Sequence, residues 1–245
     1  MNFSTGTISK LLSSKKIVFF TGAGISAESG IPVFRGKEGI WNKLKPEELA
    51  NFDAFLRNPA IVWEWYQHRK KIIHESEPNP AHLAIAEMEK LFYEVTVVTQ
   101  NIDNLHRRAG SKTIYELHGN IERNYCIKCR TFYNEELEFS CGVPKCKCGG
   151  LIRPDIVWFG EYLPEDQFNN SDEAAKECDV FIVVGTSAVV YPAASLIYSA
   201  KENGAYIIEI NLEPTEISSF ADESIMGKAG EILPGLVKEI ENKLS

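Results

Sequence analysis

Apolar runs of four to six residues alternate along the chain with longer stretches in which apolar positions recur at helical spacing. The run IVFF at 17–20 is unbroken and made of β-branched and aromatic residues, as a strand buried on both faces requires. Further strands are predicted at 94–99, 180–184 and 206–210. Between them the spacing predicts a short amphipathic helix over 8–12, a helical region opening at 46–50, and a main helix over 59–75. That helix has Pro59 in its first turn and Ile61, Trp65 and Ile72 on its apolar side. Pro78 and Pro80 end it, and helices are predicted again over 81–92, over 192–203 and near 235–244. Strands alternating with helices imply an α/β fold, a Rossmann-like doubly wound parallel sheet. In such sheets ligands sit beyond the carboxyl ends of the strands.

Those ends are polar in four places: 21–24, 100–103, 185–187 and 211–213. Turns favour such residues anyway, but four strand ends together favour a site. The first, Gly22-Ala23-Gly24-Ile25-Ser26-Ala27, fits the G-x-G-x-x-A form, which predicts backbone N–H groups facing a pyrophosphate. The acidic strand end that usually binds a ribose about 20 residues later is missing. A loop through Pro32, Phe34, Arg35, Gly36, Gly39 and Trp41 takes its place, which makes hydride transfer a less natural reading, and Glu213 is the candidate for the missing acid.

Composition narrows the partners. With 245 residues and 44% hydrophobic content, one sizeable core and a small appended module are expected, and no repeat occurs. A net charge of -8 argues against nucleic acid as the main partner. The first residues have no apolar core of signal-peptide length and no run approaches a membrane span, so a soluble cytoplasmic protein with no membrane partner is expected, and as a monomer. Cys126-x-x-Cys129 and Cys146-x-Cys148 fit a closed four-thiolate zinc site, with Cys141 open as a substitute ligand. Cys178, before an apolar strand, reads as a core residue.

The motifs TGAGISAESGIPVFRG, TQNIDNLH, ELHGN, the cysteine module, RPDIVWFGE, GTSAVVYPA and the NLE of residues 211–213 occur in one order across nearly the whole chain. In this the sequence closely resembles the sirtuins. The resemblance implies a nicotinamide-releasing protein-lysine deacylase that consumes NAD. The acyl-lysine carbonyl oxygen would attack C1′ of the nicotinamide ribose, a histidine base would activate a ribose hydroxyl, and water would release lysine and O-acyl-ADP-ribose.

By motif, the base is His118, and its neutral imidazole is accessible near neutral pH. Asn101 and Asp103 match positions at the nicotinamide ribose and carboxamide. The NAD-binding positions implied are Gly22, Ala23, Gly24, Ser26, Phe34, Arg35 and Trp41 in the first loop, Gln100 to Asp103 with Ile102, then Gly185, Thr186, Ser187, Asn211, Leu212, Glu213 and Ala229. Cys148 falls where the family's last zinc ligand precedes the IRP segment, which favours Cys126, Cys129, Cys146 and Cys148 around one structural zinc. His106, His74 and His82 read as structural helix residues.

Tyr66 and Arg69, one helical turn apart, match the Tyr-x-x-Arg of the sirtuin branch that removes succinyl and malonyl groups. A guanidinium beside a phenol can clamp a carboxylate. In RPDIVWFGE, the segment Val157, Trp158, Phe159, Gly160 and Glu161 resembles the substrate strand, expected to pair backbone to backbone with an acylated-lysine peptide while Trp158 and Phe159 wall the lysine tunnel.

The resemblance implies one catalytic domain over 1–245: a core of 8–35, 94–120 and 154–245, a helical insertion at 36–93 and a zinc module at 121–153. Deacetylation without carboxylated-acyl preference, mono-ADP-ribosyl transfer and an NAD-binding scaffold remain as alternatives, with dehydrogenase chemistry the weakest.

Overall fold

The structure, a computed structural model, describes residues 3–34, 39–40, 45–133 and 142–244. Arg35, Gly36, Trp41 and Cys141 lie outside the described residues. Helix α1 (Thr5–Ser13) leads into β1 (Lys16–Thr21), which ends in a 3-10 segment, Ala23–Ser29. Helices α2 (Pro46–Leu49), α3 (Phe52–Arg57), α4 (Pro59–Glu75) and α5 (Pro80–Met88) precede β2 (Glu94–Thr99). Then come α6 (Leu105–Ala109), β3 (Thr113–Glu116), β4 (Gly119–Cys126), β5 (Phe132–Tyr133) and β6 (Ile152–Ile156). The chain ends with α7 (Glu165–Glu177), β7 (Val180–Val184), α8 (Ser195–Glu202), β8 (Tyr206–Asn211), β9 (Glu223–Met226) and α9 (Ala229–Leu244).

Six strands form a parallel sheet in the order β3-β2-β1-β7-β8-β9. The order reverses at β1, so the switch point lies between β1 and β7, where ligands of doubly wound sheets bind. Register aligns the strand ends there: Thr21 pairs with Thr99 and with Val184, and Val184 with Ile210. Side chains alternating across these strands enter two cores. One lies under α1, α5 and α9 through Phe19, Ile182 and Ile232, the other under α7 and α8 through Phe20, Phe181 and Ile197. A third core joins α3 and α4 to an antiparallel sheet, β5-β4-β6, through Phe55, Trp63, Tyr66 and Trp158.

Local differences from the sequence expectation have physical causes. On α4 the buried stripe is Val62, Tyr66, Arg69 and Ile73, and Ile61 lies on the exposed side. Trp63 is buried beside this stripe, and the expected Trp65 and Ile72 are partly buried and pack against the third core, so of the three expected residues Ile61 alone faces away. Helix α5 stops at Met88, earlier than expected, because residues 89–93 must turn for the Glu94 N–H to reach the Lys15 carbonyl. Residues 190–194 form tight turns ahead of α8, and α9 begins at Ala229, six residues before the expected start. No helix among the described residues is long and apolar enough to cross a membrane.

Candidate active site

Three glycines seal the junction between β1 and β7. A Cβ on Gly24 would lie 2.7 Å from the Gly185 carbonyl oxygen, and one on Gly22 would lie 2.6 Å from the Thr186 Cβ. Gly185 itself adopts φ +59, where a side chain is strained. The glycines permit this backbone-to-backbone approach. It also engages donors expected to face a phosphate: Gly22 N–H bonds the Val184 carbonyl at 3.0 Å and Gly24 N–H the Gly185 carbonyl at 2.8 Å. Phosphate recognition here therefore cannot use those two N–H groups.

Below this junction lies a buried polar network. The Ser26 hydroxyl donates to Asp103 Oδ2 at 2.7 Å, and it accepts from Asn101 Nδ2 at 3.2 Å and from His82 Nε2 at 3.4 Å. His82 Nδ1 accepts the Asn79 N–H, which fixes the proton on Nε2. Asn101 Nδ2 also donates to the Gly22 carbonyl, so Asn101 presents only its carbonyl oxygen outward, as an acceptor. Asp103 Oδ1 accepts the Leu105 N–H. Burial pushes the Asp103 carboxyl up, opposed by these two donors and by the Arg69 charge. Beside it, His106 Nε2 donates to Thr21 Oγ1, which donates in turn to Thr99 Oγ1. Burial lowers His82 to about 4 and holds His106 well below the ordinary histidine range. Burial favours the neutral form of both histidines.

His118 sits in the turn between β3 and β4. Its Nδ1–H donates to the Gln100 carbonyl at 2.9 Å, leaving the Nε2 lone pair without a partner among the described residues. Burial lowers its pKa, and the carbonyl partly opposes the shift. The turn is braced by residues the sequence reading passed over. Asn120 Nδ2 bonds Glu116 Oε1 at 2.7 Å and Asn104 Oδ1 at 3.1 Å, and Arg123 bonds Glu116 Oε2 at 2.7 Å. Gly119, at φ +78, packs on the Asp155 carbonyl where a side chain would collide. The Glu and Asn flanking His118 in ELHGN were the available signal.

The remaining strand ends converge on the same edge. Gln100 Nε2 donates to Thr186 Oγ1 at 3.0 Å, and Asn211 Nδ2 to the Thr186 carbonyl at 2.9 Å. Ser187 follows half-buried, while Leu212 and Glu213 are exposed at the end of β8. Ala229 opens α9, where the next N–H, of Gly230, bonds Glu28 at 2.9 Å. Ile102 packs in the third core, its carbonyl accepting the Ile121 N–H. Glu209, also unanticipated, is fully buried and holds the 215–224 loop through Thr215, Ser218 and Ser224.

Tyr66 and Arg69 are both buried on α4, at 2% and 4% exposure. The Tyr66 oxygen accepts the Trp158 indole N–H at 2.8 Å. Arg69 stacks on Phe34 at 4.6 Å, and its buried Nε–H has no hydrogen-bond partner among the described residues. Trp158 is itself buried, while Phe159 is exposed and Gly160 turns at φ +87. The N–H groups of Val157, Trp158 and Phe159 bond the His118 carbonyl, Glu161 Oε2 and the Ala50 carbonyl. An incoming strand would have to pair with carbonyl groups of this segment or displace those bonds.

Cys126, Cys129, Cys146 and Cys148 bring their thiols within 4.8 Å of one another. The Lys128 and Cys148 N–H groups point at the Cys126 and Cys146 sulfurs, and the Tyr133 hydroxyl donates to Cys146 at 3.0 Å. Sulfurs about 2.3 Å from a central ion, stabilised by such donors, fit one structural zinc with no open position for catalysis.

A sequence profile of the Sir2 family matches residues 22–192. The NAD-dependent protein deacylase of Pyrococcus furiosus is 54% identical over 245 aligned residues, covering 96% of this chain and 97% of its own. Among solved structures, a Sir2 homolog in complex with NAD matches with TM-score 0.93 at 45% identity, covering 100% of this chain and 96% of its own. A Sir2 bound to a p53 peptide and NAD+ matches with TM-score 0.89 at 34% identity, covering 100% of both.

Proposed function

The chain belongs to the Sir2 family and is an NAD-dependent protein deacylase, and from that premise we propose that it removes carboxylated acyl groups, such as succinyl and malonyl, from lysines as well as acetyl. The observation that carries this reading is the buried Arg69 guanidinium, its Nε–H unpartnered among the described residues, one turn from the Tyr66 phenol. A buried polar hydrogen left without an acceptor costs about 1–3 kcal/mol, more when the group is charged, and here, among the described residues, the guanidinium is compensated by ring stacking and by the charge of Asp103. An acyl chain ending in a carboxylate would offset that cost by accepting from both side chains.

In this reading His118 is the general base. With Nδ1–H held by the Gln100 carbonyl, Nε2 accepts a proton from a ribose hydroxyl, and the lowered pKa keeps the imidazole neutral at physiological pH. Asn101 orients a hydroxyl through its remaining carbonyl oxygen, and Asp103 receives the carboxamide N–H. NAD supplies the bond that is broken. In the segment Val157–Gly160 the Trp158 carbonyl already accepts the Glu161 N–H and the Phe159 carbonyl the Asn51 amide, so the peptide pairs chiefly with the Val157 and Gly160 carbonyls, and pairing through main chain reads little side-chain identity.

The test compares kcat/KM on one peptide bearing succinyl-lysine or acetyl-lysine, for wild type and Arg69→Met. Loss of a charge-assisted hydrogen bond predicts that the succinyl-to-acetyl ratio falls by about tenfold or more. An unchanged ratio would return the enzyme to plain deacetylation.

A further inference from the structure

Trp158 is buried beside Tyr66 and held from several sides. Its backbone N–H donates to Glu161 Oε2 at 2.8 Å, and the Arg153 guanidinium lies 3.4 Å over its ring. Arg153 is 1% exposed and held by Glu161 at 2.5 Å and 2.9 Å and by the Ile156 carbonyl at 2.6 Å. Phe55 packs against the indole at 5.3 Å. Only a side chain fixed this firmly holds its N–H in one direction, and that N–H points at the Tyr66 oxygen.

A phenol accepts on one side of its oxygen and donates on the other, both near the ring plane. With the Trp158 N–H on one side, the Tyr66 hydrogen is turned to the other, where it meets no acceptor among the described residues. We propose that Trp158 is a specificity-determining positioning residue, whose indole N–H aims the Tyr66 hydroxyl at the carboxylate of a carboxylated acyl-lysine. The inference rests on the proposed acyl preference. It makes the segment beside His118, which contacts that residue through the Val157 N–H, part of acyl selection as well as of peptide binding.

The test uses Trp158→Phe, Tyr66→Phe and their double variant, with kcat/KM for succinyl-lysine and acetyl-lysine on one peptide. Trp158→Phe is expected to lower the succinyl-to-acetyl ratio about fivefold, the size of one neutral hydrogen bond. It is expected to lower it no further in the Tyr66→Phe background. Equal losses on both substrates, or an undiminished effect in that background, would overturn the role. Because Trp158→Phe removes buried volume, a second measurement follows the indole N–H protons of the four tryptophans by NMR. One is expected to move upfield in Tyr66→Phe, and four unshifted resonances would overturn the hydrogen bond itself. Arg69→Met in the same assay separates the two claims. If it lowers the ratio while Trp158→Phe does not, only the Trp158 role falls; if it also fails to lower the ratio, the acyl preference falls.

Discussion

Two buried polar regions border the same cleft and differ in how completely they are satisfied. In the floor, Ser26, Asn101, Asp103 and His82 exchange hydrogen bonds among themselves and with the backbone. Its exception is His106 Nδ1, a neutral lone pair. Where α4 packs against Trp158, a cationic N–H on Arg69 and the hydrogen of Tyr66 stay unclaimed among the described residues. A satisfied network positions its members and resists change. A buried cationic N–H without an acceptor lowers stability until one arrives, and that is the ground for the proposed acyl site.

The largest effect belongs to an atom that is open on the cleft side and tied on the other. His118→Ala is expected to lower kcat by about a thousandfold, within the range of a general base, while thermal stability changes little. Turnover that survived would remove His118 from the mechanism. Next is pH. His82 falls to about 4 when folded against about 6.5 unfolded, so the unfolded chain binds the proton first. The stability His82 confers is present above pH 6.5 and lost as pH falls toward 4, about 3 kcal/mol in all. His106 contributes with the same sign. Denaturant unfolding across that range should be less steep in pH for His82→Gln, and identical slopes would mean the histidine is not buried neutral.

Ser26→Ala should cost about 2 kcal/mol in the same unfolding experiment, since it strands partners on Asp103, Asn101 and His82 at once. Arg69→Met is the smallest and the sharpest contrast. Removing a buried cation whose Nε–H has no acceptor among the described residues should leave stability unchanged or raise it by about 1 kcal/mol. A loss comparable with Ser26→Ala would mean that the pocket is as satisfied as the floor.

The sheet was legible because its four longest apolar runs carry the pattern of strands buried on both faces. Strands β3 and β9, four residues each and only partly buried, carry no such pattern, and α7 has few buried positions to mark it. A cysteine metal site could be read from short spacing, while the choice of Cys146 and Cys148 over Cys141 also needed the resemblance. The partners within the site could not: Ser26 reaches Asp103 across 77 positions and Trp158 reaches Tyr66 across 92, distances that only the folded chain closes. The face of α4 was legible in Trp65 and Ile72 but not in Ile61, and its full burial was hidden because an arginine stands within the buried stripe.

The most direct measurement is the wild-type succinyl-to-acetyl ratio of kcat/KM on one peptide with NAD in excess. A ratio above one that collapses in Arg69→Met is the predicted result. A ratio below one, unmoved by Arg69→Met, would contradict the carboxylate pocket and leave Arg69 as a buried cation with no role in acyl choice.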